Sequence, residues 1–267
     1  MDLIEFLQHT TLESFLTAHP EIEKTMAAHV PPMPEKVADP MALLSAESSY
    51  NERAMSYVCA LGGAIGSRSP YPHRFVVQSQ VMAAFSVQEG GLPKHHFLDP
   101  HSCLREYMIE AVSRLTGKPA PEVPFAKLAG QRMGEVYGWF GDVPTVADPC
   151  AAMLGAHFAS EYLAAQQEFP SMCRIFERDY PDLFATMRED REPHFGFSAA
   201  DWLEGHPAVE RKHAGYAARA AEAAAWDLDD PTEFWDSFVT GFDAFCANDE
   251  HYFTQLTAAQ ASLLAAI

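Results

Sequence analysis

The chain has 267 residues, and 48% of them are hydrophobic, so it can bury a sizeable core. Its 37 acidic residues outnumber its 18 basic residues, which gives a formal net charge of −19 at pH 7. This excess of negative charge argues against nucleic acid or an anionic membrane surface as a partner.

The first third of the chain predicts helices that are separated by proline and glycine breaks. Residues 2–17 carry leucine and phenylalanine at helical spacing, and the proline-rich stretch 30–40 follows as a connector. A second helix is predicted over 41–61, where a pair of glycines would end it. A third helix is predicted over 74–88, again followed by two glycines.

The middle of the chain continues the same pattern. Helices are predicted from Pro100 to about Leu115 and over 124–139. An Asp-Pro pair at 148–149 is typical of a helix start and predicts a long apolar helix that ends before Pro170.

The last third predicts helices over 207–226, 231–247 and 249–266. Sustained alternation of apolar and polar residues, which marks strands, is absent from the sequence. We therefore expect a single all-α domain over 1–267, in which 1–40 forms an N-terminal helical extension.

The stretch "HPAVERKH" places His206, Glu210 and His213 at successive spacings of four and three. These steps bring side chains to one face of an α-helix, where two imidazoles and a carboxylate could hold a metal. Pro207 disfavours helical geometry at the residue before it and is expected to place His206 at the helix cap. The simpler interpretation is a solvated polar face.

Glu89 and His96 form a second pair of candidate ligands at the end of an apolar helix, with six residues between them. His95 is adjacent and could replace His96. The alternative is an ordinary helix C-terminus in which Gly90 and Gly91 form the cap.

A third candidate, Glu161, lies on the apolar face of the predicted 150–169 helix. A buried carboxylate needs a partner or a metal, because an unpaired buried charge is costly. Glu168 lies two turns further along and competes for the same role, and His157 is close enough to support Glu161.

Together the candidates comprise three carboxylates and three imidazoles, a mixture that suits iron or manganese better than structural zinc. A ferritin-like site would need two Glu-x-x-His motifs on separate helices. Only Glu210 and His213 form one, since Asn248 stands where a second Glu would precede His251.

The order Glu-x6-His, a Glu after a Leu-Gly helix, and His-x3-Glu-x2-His resembles the heme-oxygenase-like diiron oxidases and oxygenases. The resemblance runs from about residue 74 to the C-terminus, and Glu210 stands where the family more often has Asp. It implies the seven-helix fold of heme oxygenase and thiaminase II, here with extra N-terminal helices, and two Fe(II) ions with O2 as co-substrate. The implied metal ligands are Glu89, His96, Glu161, His206, Glu210 and His213, with Glu168 and His95 as alternatives.

The same resemblance implies oxidation of a small, amino-acid-like substrate in specialised metabolism. The expected reaction is C–H oxidation that leads to desaturation, cyclisation or C–C cleavage, with N-oxygenation of an amine or amino acid as the alternative. Homodimerisation is a further family expectation. The candidate substrate-binding residues are Arg68, Arg74, Lys94, Tyr162, Tyr216 and Trp202.

Two other classes of protein compete with this prediction. A metal-free, thiaminase-like hydrolase would need a cysteine nucleophile, for which Cys150 and Cys173 are candidates. A helical binding protein would need no catalytic groups. Five scattered cysteines without a CxxC pair, and an N-terminus unlike a signal peptide, favour a reduced protein of the cytoplasm without a membrane span.

Overall fold

The fold is helical throughout the part of the chain that the structure describes. The computed structural model describes residues 2–29, 31–83, 100–136, 146–194, 196–226 and 228–266. Within these ranges the only β-type pairing is one isolated bridge between Arg191 and Ser198. The prediction of an all-α protein is therefore confirmed.

The helices vary widely in length, and one of them contains a π-helical turn. In chain order they are α1 Leu3–His9, α2 Leu12–Ala18, α3 Pro20–Ala28, α4 Pro40–Tyr50, α5 Ala54–Arg68, α6 Arg74–Val81, α7 Pro100–Thr116, α8 Pro124–Val136, α9 Pro149–Leu163, the π-helical segment Ala164–Glu168, α10 Phe169–Asp179, α11 Pro181–Glu189, α12 Asp201–Ala225 and α13 Thr232–Ala265.

The start of α9 follows directly from its sequence. The Asp148 side chain accepts a hydrogen bond from the backbone N–H of Ala151, and Pro149 occupies the first turn, where its missing N–H costs nothing. The hydroxyl of Tyr71 also donates to Asp148, at 2.8 Å, and ties this cap to the loop before α6. The predicted start at Asp-Pro is confirmed.

Helices α9, α12 and α13 form the centre of the bundle. The most extensive contact is between α9 and α13, and α12 packs along α9 and α6. Gly155 of α9 and Gly241 of α13 lie where the helices cross, and a Cβ on either would overlap the other helix's backbone. Buried alanines on α12 allow a similarly close approach. This close approach of the helix backbones brings the side chains that flank the crossing into one small space.

The N-terminal helices pack on this centre. Both α1 and α2 contact α12. The ring of Phe15 lies 5.0 Å from that of Phe158 on α9 and 6.3 Å from that of Phe238 on α13, measured between centroids. The apolar side chains of the predicted extension therefore join the same buried cluster as the rest of the chain.

Two of the helix boundaries predicted near the N-terminus are wrong. The predicted helix over 2–17 is two helices, because Thr11 and Ser14 form a reciprocal capping box that starts α2. The predicted helix over 41–61 is also two helices, α4 and α5, and α5 continues past the predicted end at Gly62 to Arg68. Glycine costs a helix only about 1 kcal/mol, and a side chain at Gly62 would meet that of Met82.

Prolines and polar residues in the second half also fail to end helices. The helix passes Pro170 through the π-helical turn, in which the Phe169 N–H bonds to the carbonyl of Ala164. Such a widened turn accommodates a proline ring and a missing donor. Pro207 lies inside α12, so His206 is helical and not a cap residue. Residues 231–266, predicted as two helices, form the single helix α13.

Candidate metal and proton site

Two helices bring three buried candidate ligands together. Glu161 of α9 faces Glu210 and His213 of α12, and one ligand atom from each lies within 4.8 Å of the others. His213 Nδ1 is 3.2 Å from Glu161 Oε2 and 2.9 Å from Glu210 Oε2. An imidazole between two carboxylates, closed off from solvent, is a donor set that could hold a divalent cation.

Two further histidines extend this cluster. His206 Nε2 lies 3.9 Å from Glu210 Oε1, one helical turn away on α12. His157 Nδ1 lies 3.3 Å from Glu161 Oε1 on α9. Both rings are buried, and that of His206 packs against the rings of Trp202 and Phe169, with centroids 4.0 Å and 4.5 Å away. This aromatic packing holds His206 in helical geometry despite the proline that follows.

Burial dominates the electrostatics of the cluster. It raises the pKa of Glu161, and the neighbouring Glu210 carboxylate raises it further, through its charge and a hydrogen bond between the two carboxyl groups. Burial also lowers the pKa of His157, with Glu161 acting in the opposite direction. The cluster therefore disfavours the ionised form of Glu161, and a bound cation would stabilise that form.

A second group of buried acids lies beside the first. Glu168, at the end of the π-helical segment, and Asp249 of α13 are both buried, and the hydroxyl of Tyr50 donates to Asp249 Oδ1 at 3.3 Å. Glu47 of α4 accepts from the indole N–H of Trp202 at 3.0 Å. Burial, then the charges of Asp249 and Glu47, raise the pKa of Glu168 well above its ordinary value.

Glu161, Glu210 and His213 of the first group and Glu168 of the second line one cavity of about 60 Å³. This cavity has room for water or a small substrate group. No lysine or arginine is found among the described residues that line it. Its lining consists of Tyr50, Asn51, Ala54, Met55, Val58, Met133, Ser160, Glu161, Ala164, Glu168, Phe169, Trp202, His206, Glu210, His213 and Phe245.

The structure brings together four of the six implied ligands: Glu161, Glu210 and His213 in close contact, with His206 at their edge. The alternative ligand Glu168 lines the same cavity but is not part of that close cluster. The remaining candidates from the 84–99 region lie outside the described residues. These are Glu89, His96, His95 and Lys94.

The candidate substrate-binding residues lie in different parts of the structure. Trp202 lines the cavity. Tyr162, which stacks on Phe158, and Tyr216, whose ring lies under the Arg219 guanidinium, are not among the lining residues. Arg74 is exposed and lies over the ring of its neighbour Phe75. The side chain of Arg68 is outside the described part of the structure.

Sequence reasoning named Glu168 but missed the other two acids of the second group, Asp249 and Glu47, although a signal was present. Asp249 continues the apolar stripe of α13 formed by Phe242, Phe245 and Tyr252, at helical spacings of three and four. Glu47 stands on the buried face of α4 in the same way. A lone acid on such a stripe indicates a buried carboxylate, and the predicted break at 248–249 concealed it.

The two cysteines considered as nucleophiles are in unsuitable surroundings. Burial raises the pKa of Cys150 and of Cys173 to about 11, so at neutral pH each is overwhelmingly the unreactive thiol. The Cys173 thiol also bonds to the backbone carbonyl of Leu203, at 3.4 Å. Neither cysteine lines the cavity.

None of the helices in the described ranges has the length and apolar character needed to cross a bilayer. Comparisons with family models, curated proteins and solved structures found no match to this chain.

Proposed function

We propose that the protein is an O2-dependent, non-heme diiron oxidase or oxygenase with a heme-oxygenase-like fold, acting on a small, amino-acid-like substrate by C–H oxidation. The observation that carries the proposal is the buried Glu161–Glu210–His213 cluster, which two helices bring into the wall of an internal cavity. The motif His-x3-Glu-x2-His, weak as a sequence signal, gains support because all three of its polar side chains are buried.

The residues fit a metal by the chemistry of their donors. Carboxylate oxygens together with imidazole nitrogens suit iron or manganese, and the absence of cysteine from the cluster argues against structural zinc. Glu161, Glu210, His213 and His206 would hold the metal, with Glu89 and His96 as the further ligands that the family resemblance implies. When bound, iron would supply the activation of O2 that oxidation of a C–H bond requires.

The chain's own groups position and protect this chemistry. The His157 imidazole, 3.3 Å from Glu161, would orient that carboxylate, as supporting residues do around metal sites. Trp202, Phe169 and Phe245 supply apolar surface along the cavity and limit the entry of water. The high pKa values of Cys150 and Cys173 weigh against a thiol-dependent hydrolase on the same fold.

An anaerobic Fe(II) titration tests the proposal. We expect the wild type to bind about two irons per chain and then to consume O2 when an amino-acid substrate is present. Glu161→Ala and His213→Ala should each lose high-affinity iron and iron-dependent O2 consumption while retaining the helical circular dichroism spectrum.

The matched control is Glu222→Ala, which removes a glutamate from the same helix α12. Glu222 pairs with His19 at 2.9 Å and does not line the cavity. The Glu222→Ala variant should therefore bind iron as the wild type does. Wild-type iron binding by both Glu161→Ala and His213→Ala would refute the proposal.

A further inference from the structure

The lining of the cavity combines buried acids with apolar side chains. Glu161, Glu168 and Glu210 line it and are at most 7% exposed. Among its described lining residues, neither lysine nor arginine balances these acids. Most of the remaining surface is apolar and comes from Ala54, Met55, Val58, Met133, Phe169 and Phe245. A substrate group in this cavity therefore meets hydrogen-bond acceptors and hydrocarbon, without a permanently charged cation to pair with.

The hydroxyl and indole donors of the lining already have acceptors within the protein. The Tyr50 hydroxyl donates to Asp249 at 3.3 Å, and the indole N–H of Trp202 donates to Glu47 at 3.0 Å. The Ser160 hydroxyl donates to the backbone carbonyl three residues before it, at 2.8 Å. Each of these groups has a single donor hydrogen. A substrate carboxylate could take a hydrogen bond from any of them only by displacing the bond that is already made.

The amide of Asn51 leaves the same balance. Its Nδ2 lies 2.7 Å from Oε1 of Glu47 and 3.5 Å from the backbone carbonyl of that residue, so both of its hydrogens have acceptors. The other polar atom of this amide, Oδ1, can only accept. Of the lining histidines, His213 has its Nδ1 2.9 Å from Glu210, and His206 has its Nε2 3.9 Å from the same carboxyl group. The described lining is therefore rich in acceptors, and its donors already face protein acceptors.

The size of the cavity limits what can enter it. A volume of about 60 Å³ has space for about four water-sized groups. A carboxylate that lost its water here would lie beside other carboxyl groups with no cationic side chain, which is unfavourable. An amine has the opposite needs, because its N–H groups require acceptors and the carbons next to it gain from apolar surface.

We propose that the cavity takes the amino group of the substrate together with the adjoining carbons, and that a substrate carboxylate stays outside. This assignment rests on the proposed function and narrows its amino-acid-like substrate to a small alkylamine, or an amino acid that enters amine first. Asn51 and Glu168 line the cavity but lie outside the close cluster of Glu161, Glu210 and His213, so their oxygens remain as acceptors when that cluster holds a metal. Glu168 has an accepting oxygen in its neutral and in its ionised form, so the contact requires no particular protonation state.

Anaerobic titration calorimetry with three probes tests the preference without measuring activity. The probes are n-butylamine, n-butanol and propionate, which have equal numbers of non-hydrogen atoms, each added at matched ionic strength to the metal-free and the Fe(II)-loaded protein. The amine should bind at least about tenfold more tightly than propionate in both forms, the ratio expected from one hydrogen bond to a charged group. Propionate that binds as tightly as n-butylamine would overturn the proposal. Loss of n-butylamine binding on loading with Fe(II) would also overturn it, because the amine would then occupy only the metal ligands.

Two lysine substitutions separate the cavity from the general attraction of an acidic protein for cations. Met55 lines the cavity and is half-buried, whereas Leu128 is 49% exposed on α8 and does not line it. Met55→Lys should weaken n-butylamine binding about tenfold, since its ammonium competes for the same acceptors. Leu128→Lys adds the same charge and should bind n-butylamine as the wild type does. Wild-type affinity in Met55→Lys, or an equal loss in both variants, would overturn the proposal.

A neutral substitution keeps the test decisive if Met55→Lys does not fold. Ala54→Leu fills part of the same half-buried lining without adding charge, and it should weaken n-butylamine and n-butanol binding alike. Wild-type binding of both probes by this variant would show that they bind elsewhere, which overturns the proposal. The proposed function is judged separately, by Fe(II) binding. A wild type that binds no Fe(II) but still prefers the amine would lack the proposed function and keep the amine site, whereas Fe(II) binding without the preference would overturn only the amine site.

Discussion

Glu47 shows how neutral hydrogen-bond donors stabilise a buried carboxylate. The indole N–H of Trp202 donates to its Oε2 at 3.0 Å, and the side-chain amide of Asn51 donates to its Oε1 at 2.7 Å. Both donors are neutral, and the charge of the Glu47 carboxylate raises the pKa of Glu168 and of Tyr252. Glu47 therefore favours the neutral form of Glu168.

Trp202→Phe should destabilise the protein by about 2 kcal/mol, because it removes a buried hydrogen bond to a charged group. Urea unfolding of the metal-free protein would measure the loss. Trp226→Phe is the matched control, since Trp226 is only partly buried and packs its ring at 4.7 Å from that of Phe6. Equal losses in the two variants would show that the bond to Glu47 contributes nothing beyond ring packing.

At the scale of single residues, the sequence indicates part of the candidate site. His206, Glu210 and His213 could be selected because helical spacing alone places them on one face. Asp249 could not be paired with Glu168 in the same way. The two are 81 positions apart, and only tertiary packing brings the middle of α13, which carries Asp249, near the π-helical segment that ends at Glu168.

Among the helices, the crossing of α9 and α13 depends on two glycines. A Cβ at Gly241 would overlap the backbone carbonyl oxygen of Ala152, which cannot move as a flexible side chain can. Gly241→Ala should therefore destabilise the protein by about 3 kcal/mol, the upper end of the usual cost of overpacking. Thermal or urea unfolding would measure it.

Gly63→Ala is the control for that substitution. Gly63 is also inside a helix, α5, but a Cβ there would meet no atom within 4 Å. Relief of the helical penalty of glycine should make this variant about 0.5–1 kcal/mol more stable. If both substitutions stabilise the protein, the two central helices do not cross as closely as described.

The all-helical class was accessible from sequence, and the number and the ends of the helices were less so. Asp148 with Pro149 identifies a start because the capping bond from the Ala151 N–H to Asp148 and the fixed backbone angle of proline are both local. The continuation of α12 past Pro207 depends instead on tertiary packing around His206, which no local pattern reports. Local signals predict where a helix can stop, and packing decides whether it does.

For the whole molecule, buried acids should make stability depend on pH. Glu168 and Asp249 have raised pKa values in the folded state, so folding takes up protons at pH values above their ordinary 4.5 and 3.8. The unfolded chain then binds fewer protons than the native one, and the free energy of unfolding falls as pH rises. Self-repulsion at a net charge of −19 acts in the same direction.

The melting temperature of the metal-free protein should therefore decrease from about pH 5 to pH 8. Glu168→Gln cannot lose a proton and should show a shallower decrease over that interval, with added salt reducing the part that both proteins share. Differential scanning calorimetry at matched ionic strength would measure both slopes. Identical slopes would mean that Glu168 titrates normally in the folded protein.

The π-helical turn between Leu163 and Phe169 has a consequence for evolution. In a regular α-helix, residues seven apart differ by only about 20° in direction, whereas the widened turn sets Glu161 and Glu168 in separate clusters on one cavity. Deleting one residue from this turn would rotate everything after it by about 100°. Related chains that keep the length of this segment are therefore expected to keep the second acidic group. A chain in which the length has changed would place its glutamate elsewhere, even where that glutamate still aligns with Glu168.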